Sequence, residues 1–169
     1  MENKKDEKKS NQEILKDIKN YLEDKYKEEP LEIIPEKMLD ADKENFFNQK
    51  IIPVFKKIEK QLSEYNIERI KKQVYNRKAT LRVSETLTLF LFKIDINNAR
   101  REIHIFYELS YRNAKKEKLI SINPEDNMII SFRNIDTIND NLILSLFAKW
   151  YMNKEAEIEK FKEWKNKSD

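Results

Sequence analysis

The chain has 169 residues, 38% of them Asp, Glu, Lys or Arg, with a formal net charge of +3, 11% aromatic residues, and neither Gly nor Cys. That length suits one domain, or one domain with a tail, and the aromatic content at so small a net charge belongs to a chain that folds for most of its length. The absences exclude Gly-built phosphate loops, EF-hand turns, disulfides, thiolate nucleophiles and Cys-ligated metals, and His104, the single histidine, excludes His₂ and His₃ metal sites within one chain.

The opening MENKKDEKKS carries charges of both signs with no apolar residue after Met1, so residues 1–10 read as a disordered charged tail rather than a signal peptide. From Asn11 an amphipathic helix begins, with Ile14, Leu15, Ile18, Leu22 and Tyr26 on one stripe. Ser10 or Asn11 can cap its start, and Pro30 ends it, because the residue before a proline avoids helical dihedrals. Leu31–Pro35 is a short extended piece. A second helix follows, capped by Asp40 or Asp42, with the stripe Phe47, Ile51, Val54, Phe55, Ile58 and Leu62. Pro53 falls inside that stripe without breaking its register, which predicts one kinked helix.

After Ile67 the period moves toward two. The stretch to Tyr75 suits either a continuing helix or a strand in its second half, and we read the latter; Ala79, Leu81 and Val83 then alternate with polar residues as a strand should. Leu87–Ile96 is the strongest strand, apolar on both faces at its start. Asn97–Arg100 is a turn in which Asn takes the place of Gly, since Asn tolerates the left-handed region best among other residues. Ile103, Ile105, Tyr107, Leu109 and Tyr111 form the antiparallel partner. The basic loop 112–118, a strand over Leu119–Ile122, a turn over Asn123–Asn127 and a strand over Met128–Phe132 follow. Asp136 or Asn139 then caps one long helix to about Trp164.

Helices, then strands, then a helix, with no strand–helix–strand crossover, predict an α+β fold: N-terminal helices, a four- to five-stranded antiparallel meander, and a long C-terminal helix, as a single domain over residues 11–169. The face bearing Ile103, Ile105 and Tyr107 should carry the two long helices. No stretch approaches the ~20 apolar residues of a membrane span. The expected compartment is the cytoplasm, with no membrane partner and no cofactor.

Charge is uneven: −2 over residues 1–65, +6 over 66–133 and −1 over 134–169. The cations of the sheet region gather near turns, among them Arg77, Lys78, Arg100, Arg101, Arg112, Lys115 and Lys116, with Tyr75, Tyr107 and Tyr111 interleaved. Basic turns beside aromatic rings can neutralise phosphates and stack bases, so a nucleic-acid-binding accessory protein is the alternative reading; solvated surface charge explains the same residues.

His104 falls on the wetter face of its strand with no nucleophile nearby, which suits a surface residue better than a proton shuttle. Asp95, Glu102 and Glu108 with Lys93 could serve a Mg²⁺-dependent nuclease, the remotest reading, but the order of acid and lysine is reversed and a salt bridge accounts for the pair. No catalytic or metal-binding residue is assigned. Phe90 and Phe92 on one face of the central strand, with Leu89 and Leu91 on the other, require either helices on both faces or a partner on one. Trp150 and Trp164 add aromatic surface to the last helix. The chain therefore reads as a non-enzymatic protein-interaction domain, an adaptor for a protein partner or a self-associating homodimer, with Phe90, Phe92, Trp150 and Trp164 as candidate contacts.

Overall fold

A computed structural model of the chain describes residues 10–26, 40–67, 69–113, 118–124 and 126–168. The expected tail over 1–9, the stop at Pro30, the Leu31–Pro35 piece, Lys115 and Lys116 lie outside the described residues, as does the side chain of Tyr26. The chain divides into two compact units, Met1–Ile34 and Pro35–Asp169.

The described part of the first unit is helix α1 (Asn11–Tyr26). Ser10 caps it: its Oγ accepts from the Glu13 N–H at 3.4 Å and its carbonyl from the Ile14 N–H at 3.1 Å. The stripe formed by Ile14, Leu15, Ile18 and Leu22 is exposed.

The second unit opens with α2 (Asp40–Phe46), a π-helical turn over Phe47–Ile51, and α3 (Ile52–Ser63). The kink expected at Pro53 takes this form. Proline supplies no N–H to the preceding turn, and the ladder widens ahead of it instead of breaking. Phe47, Ile51, Val54, Phe55 and Ile58 consequently all stay buried on one side of a continuous helical run.

Six antiparallel strands follow among the described residues: β1 (Ile70–Tyr75), β2 (Lys78–Ser84), β3 (Thr88–Asn97), β4 (Glu102–Arg112), β5 (Leu119–Ile122) and β6 (Met128–Ser131). β1 to β4 are a meander, and β5 and β6 both pair with β4. β5 lies against Leu109–Arg112 and β6 against Glu102–Ile105, so the two run one behind the other along a single edge. The expected turn over Asn123–Asn127 is therefore not a reversal but an interruption of that edge. It carries Asp126 to the helices, where its carboxylate accepts from Lys149 Nζ at 2.8 Å and Trp150 Nε1 at 2.9 Å.

With no glycine, left-handed backbone falls to Asn66 (φ 63°), Asn76 (φ 52°) and Arg101 (φ 53°) among the described residues. Asn76 turns β1 into β2. In the β3–β4 loop the left-handed residue is Arg101 rather than the expected Asn; Asn97 instead accepts the Arg100 N–H at 3.1 Å, which tightens the loop from its other end.

A 3₁₀ turn (Phe132–Thr137) leads to α4 (Asp140–Met152) and α5 (Lys154–Ser168). Asn139 is the cap, accepting the Leu142 N–H at 2.9 Å. The single long helix expected here is broken at Asn153 (φ −94°, ψ 0°). The break lets Lys154, buried beneath the helices, reach Glu85 at 3.3 Å while its ammonium sits 3.8 Å from the Tyr151 ring centroid.

Within the second unit the described helices pack on one face of the sheet. That face bears Ala79, Leu81, Val83, Phe90, Phe92, Ile94, Ile103, Ile105 and Leu109, all buried. Phe92 meets Phe55 of α3 at 6.1 Å and Phe147 of α4 at 5.7 Å between ring centroids, so both long helices sit where the alternation of β4 predicts. Each fully buried phenylalanine contributes roughly 1.5–3 kcal/mol of transfer free energy.

Candidate interaction surface

Three of the four residues expected to meet a partner are core residues. Phe90 and Phe92 are fully buried and Trp150 is 3% exposed, stacked on Tyr107 at 4.9 Å. This corrects the expectation that they form a contact surface. β3 is apolar on both faces at its start, and the helices take the Phe90–Phe92 face, which leaves Leu89 and Leu91 on the other. Trp164 is 63% exposed at the end of α5 and leans on Phe161.

The uncovered face follows from the register. Side chains directly opposite one another share a face. Leu91 lies opposite Arg82 and Glu108, and Lys93 lies opposite Thr80 and Phe106. One step further, Asp95 lies opposite Lys78 and His104, and His104 in turn opposite Ile129 of β6. Leu89, Leu91, Phe106 and Ile129 thus lie along a diagonal from the start of β3 to the far edge. The first three are half-buried and Ile129 is 52% exposed.

Charged groups frame that diagonal. Lys93 reaches Glu108 at 2.7 Å, so the expected salt bridge forms with Glu108 rather than with Asp95. His104 Nε2 lies 3.0 Å from Glu102, on the wetter face as its alternation indicates. Among the described residues no group of three His, Asp or Glu side chains converges as a metal site would require.

Because β1 to β4 are a meander, their turns alternate between the two ends of the sheet, and the basic residues are divided with them. Arg77, Lys78, Arg100 and Arg101 share one end, where the Arg77 carbonyl accepts the Ile96 N–H at 2.8 Å. An open groove of about 640 Å³ at that end is lined by Lys43, Asn76, Arg77 and Asn98, and the Asn98 Oδ1 is buried without a partner. Arg112 is at the opposite end, its N–H bonded to the Leu87 carbonyl at 2.8 Å.

At the Arg112 end, Arg69 and Arg82 join it around a groove of about 240 Å³ beside Leu89 and Leu119. Neither stands out in the sequence as a site residue. Arg82 was findable, because it alternates with the core residues Leu81 and Val83. Arg69 was not, because its segment suits helix and strand alike.

Glu85 also lines this groove, but its carboxylate is engaged elsewhere. Oε1 accepts from Tyr151 at 2.7 Å and Oε2 from Thr88 at 2.9 Å, with Lys154 close by. Burial on its own would raise Glu85; the hydrogen bonds from Tyr151 and Thr88 and the Lys154 charge outweigh it and hold the carboxyl below its ordinary range. Tyr151 is pushed well above the ordinary phenol value, first by burial and then by its bond to Glu85.

No protein-family model, curated protein or solved structure matches the chain. Among the described residues no helix is long and apolar enough to cross a membrane.

Proposed function

We propose that the chain is a non-enzymatic protein-interaction domain that presents the uncovered face of its sheet to an acidic, partly apolar segment of another protein. The reading rests on one observation above the others: within the second unit the described helices pack on one face, and the apolar diagonal Leu89–Leu91–Phe106–Ile129 lies on the other.

Charge complementarity selects the occupant. Lys71, Lys78, Arg82, Lys93 and Arg112 on this face outnumber Asp95, Glu102 and Glu108. A second copy of the chain would bring the same excess of positive charge, whereas an acidic segment complements it. A nucleic-acid backbone is a poorer match, because a polyanion crossing the face would pass over those three carboxylates and the basic turns lie at opposite ends.

A photo-crosslinking residue placed at Leu91 or at Ile129 tests this, with Met152, 74% exposed on α4, as the control position. The expected result is one shared protein adduct from Leu91 and Ile129 that is absent from Met152 and lost on adding Arg82→Glu. Adducts to a second copy of the chain would replace the reading with self-association, and adducts to RNA or DNA would replace it with nucleic-acid binding. Equal adducts from all three positions, or none, would remove it.

A further inference from the structure

We propose that Arg69, Arg82 and Arg112 form a site for the dianion of a phosphate monoester, carried by a phosphorylated side chain of the segment that lies along the uncovered face. The inference rests on the interaction reading for the source of the phosphate, and on the groove alone for its chemistry.

Three arginines line one small groove, and among the described residues none of them has a carboxylate within ion-pair distance. Like charges gathered without counter-charge repel one another, an arrangement that an incoming anion relieves. The carboxylate that could have neutralised them, Glu85, is turned to Tyr151, Thr88 and Lys154. The groove therefore keeps its positive excess even with Glu85 ionised.

Backbone bonds fix the chain at Arg69 and Arg112, and a side-chain bond orients Arg82. The Arg69 carbonyl accepts the Ser84 N–H at 2.9 Å and the Arg112 N–H bonds to Leu87 at 2.8 Å. Arg82 Nε donates to Ser84 Oγ at 3.3 Å, which keeps that guanidinium over the groove. Planar forks suit the several oxygens of a phosphate, and three of them exceed what one carboxylate can satisfy. The Thr86 side chain also lines the groove.

The apolar surroundings favour a side-chain phosphate over a free ion. Leu89 forms part of the groove wall and is also the first residue of the apolar diagonal. A segment whose phosphate sits among the arginines can lay its next apolar residues on Leu91 and Phe106. The carboxylates further along the face, Glu108 and then Asp95 and Glu102, disfavour a second phosphate in register with the first.

The test is a titration of the full chain with O-phosphoserine, followed through the arginine Nε–Hε signals by NMR, with serine plus acetate at equal ionic strength as one control and an oligothymidylate as another. The expected result is a saturable, common shift of Arg69, Arg82 and Arg112. Affinity should fall at least tenfold in Arg82→Gln and in Arg112→Gln and stay unchanged in Arg100→Gln, each variant melting like the parent chain. A shift as large with acetate, or no saturation, would overturn the proposal. So would oligothymidylate binding that moves Arg77 and Arg100 together with the groove arginines, since that describes a polyanion track. These outcomes are independent of the crosslinks: loss of phosphoserine binding with the Leu91 and Ile129 adducts intact removes the phosphate site and leaves the interaction face.

Discussion

Lys154 and Glu85 show how one residue can decide the course of a helix. An ammonium buried to this degree persists only with partners, and it has Glu85 at 3.3 Å, Glu155 at 2.9 Å and the Tyr151 ring. Asn153 breaks the helix so that Lys154 can point inward. Glu85→Ala should cost about 1.5–3 kcal/mol in chemical unfolding, the usual range for lost hydrogen bonds to a charged group. The Glu85 carboxyl is held below its ordinary value in the folded chain, so its stabilising contribution is present above that value and is lost as pH falls through the lower, folded one. Glu85→Gln should flatten the acid limb of a plot of melting temperature against pH, and an unchanged limb would assign acid sensitivity to other carboxylates. None of this was legible in the sequence, where Glu85 is one acid in a turn and Lys154 one lysine in a charged run.

At the scale of elements, periodicity carried most of the information. The alternation of β2 and β4 and the apolar run of β3 identify strands from their side chains alone, and the buried and exposed positions of β4 fall where that alternation puts them. What periodicity does not record is where a hydrogen-bond ladder goes after it is disturbed. The π turn before Pro53 preserves the apolar stripe and so leaves no trace in it. β5 and β6 read as two ordinary strands, because nothing in their composition says that they share an edge. Helix ends carry a clearer signal: Asp136 and Asn139 are the two caps legible in the sequence, and it is the Asn139 side chain that accepts the Leu142 N–H. Asn139→Ala should cost about 1 kcal/mol, read as a shift in the denaturation midpoint at constant slope. A neutral result would mean that the preceding 3₁₀ turn fixes the start of α4.

For the molecule as a whole, the sequence established the α+β class and the need to account for a second apolar face, but not which face the helices choose. Phe90 and Phe92 differ from Leu89 and Leu91 in sequence only by their place in the alternation, so the four are equivalent until the helices are placed. The division of the basic turns follows from the meander once the strand order is known. Like charge on the uncovered face also sets an expectation for the free chain. At low ionic strength its positive excess resists pairing with a second copy, and salt weakens that resistance. Sedimentation velocity should therefore show a monomer at low salt, with any self-association increasing as salt is added. A dimer that is tightest at low salt would require oppositely charged ends to meet.

The interrupted strand along β4 has a consequence for how the protein behaves in a crowded solution. A sheet invites uncontrolled growth wherever a long, flat border of unpaired backbone is offered. Here one border is split into two four-residue pieces, β5 and β6, and the other, β1, carries Lys71 and Lys72 side by side. Neither offers an incoming strand a long uncharged template, so the routes to fibrils and lateral stacking are narrowed. An apolar diagonal on one face of the sheet can thus coexist with borders guarded against the polymerisation that such a sheet would otherwise invite.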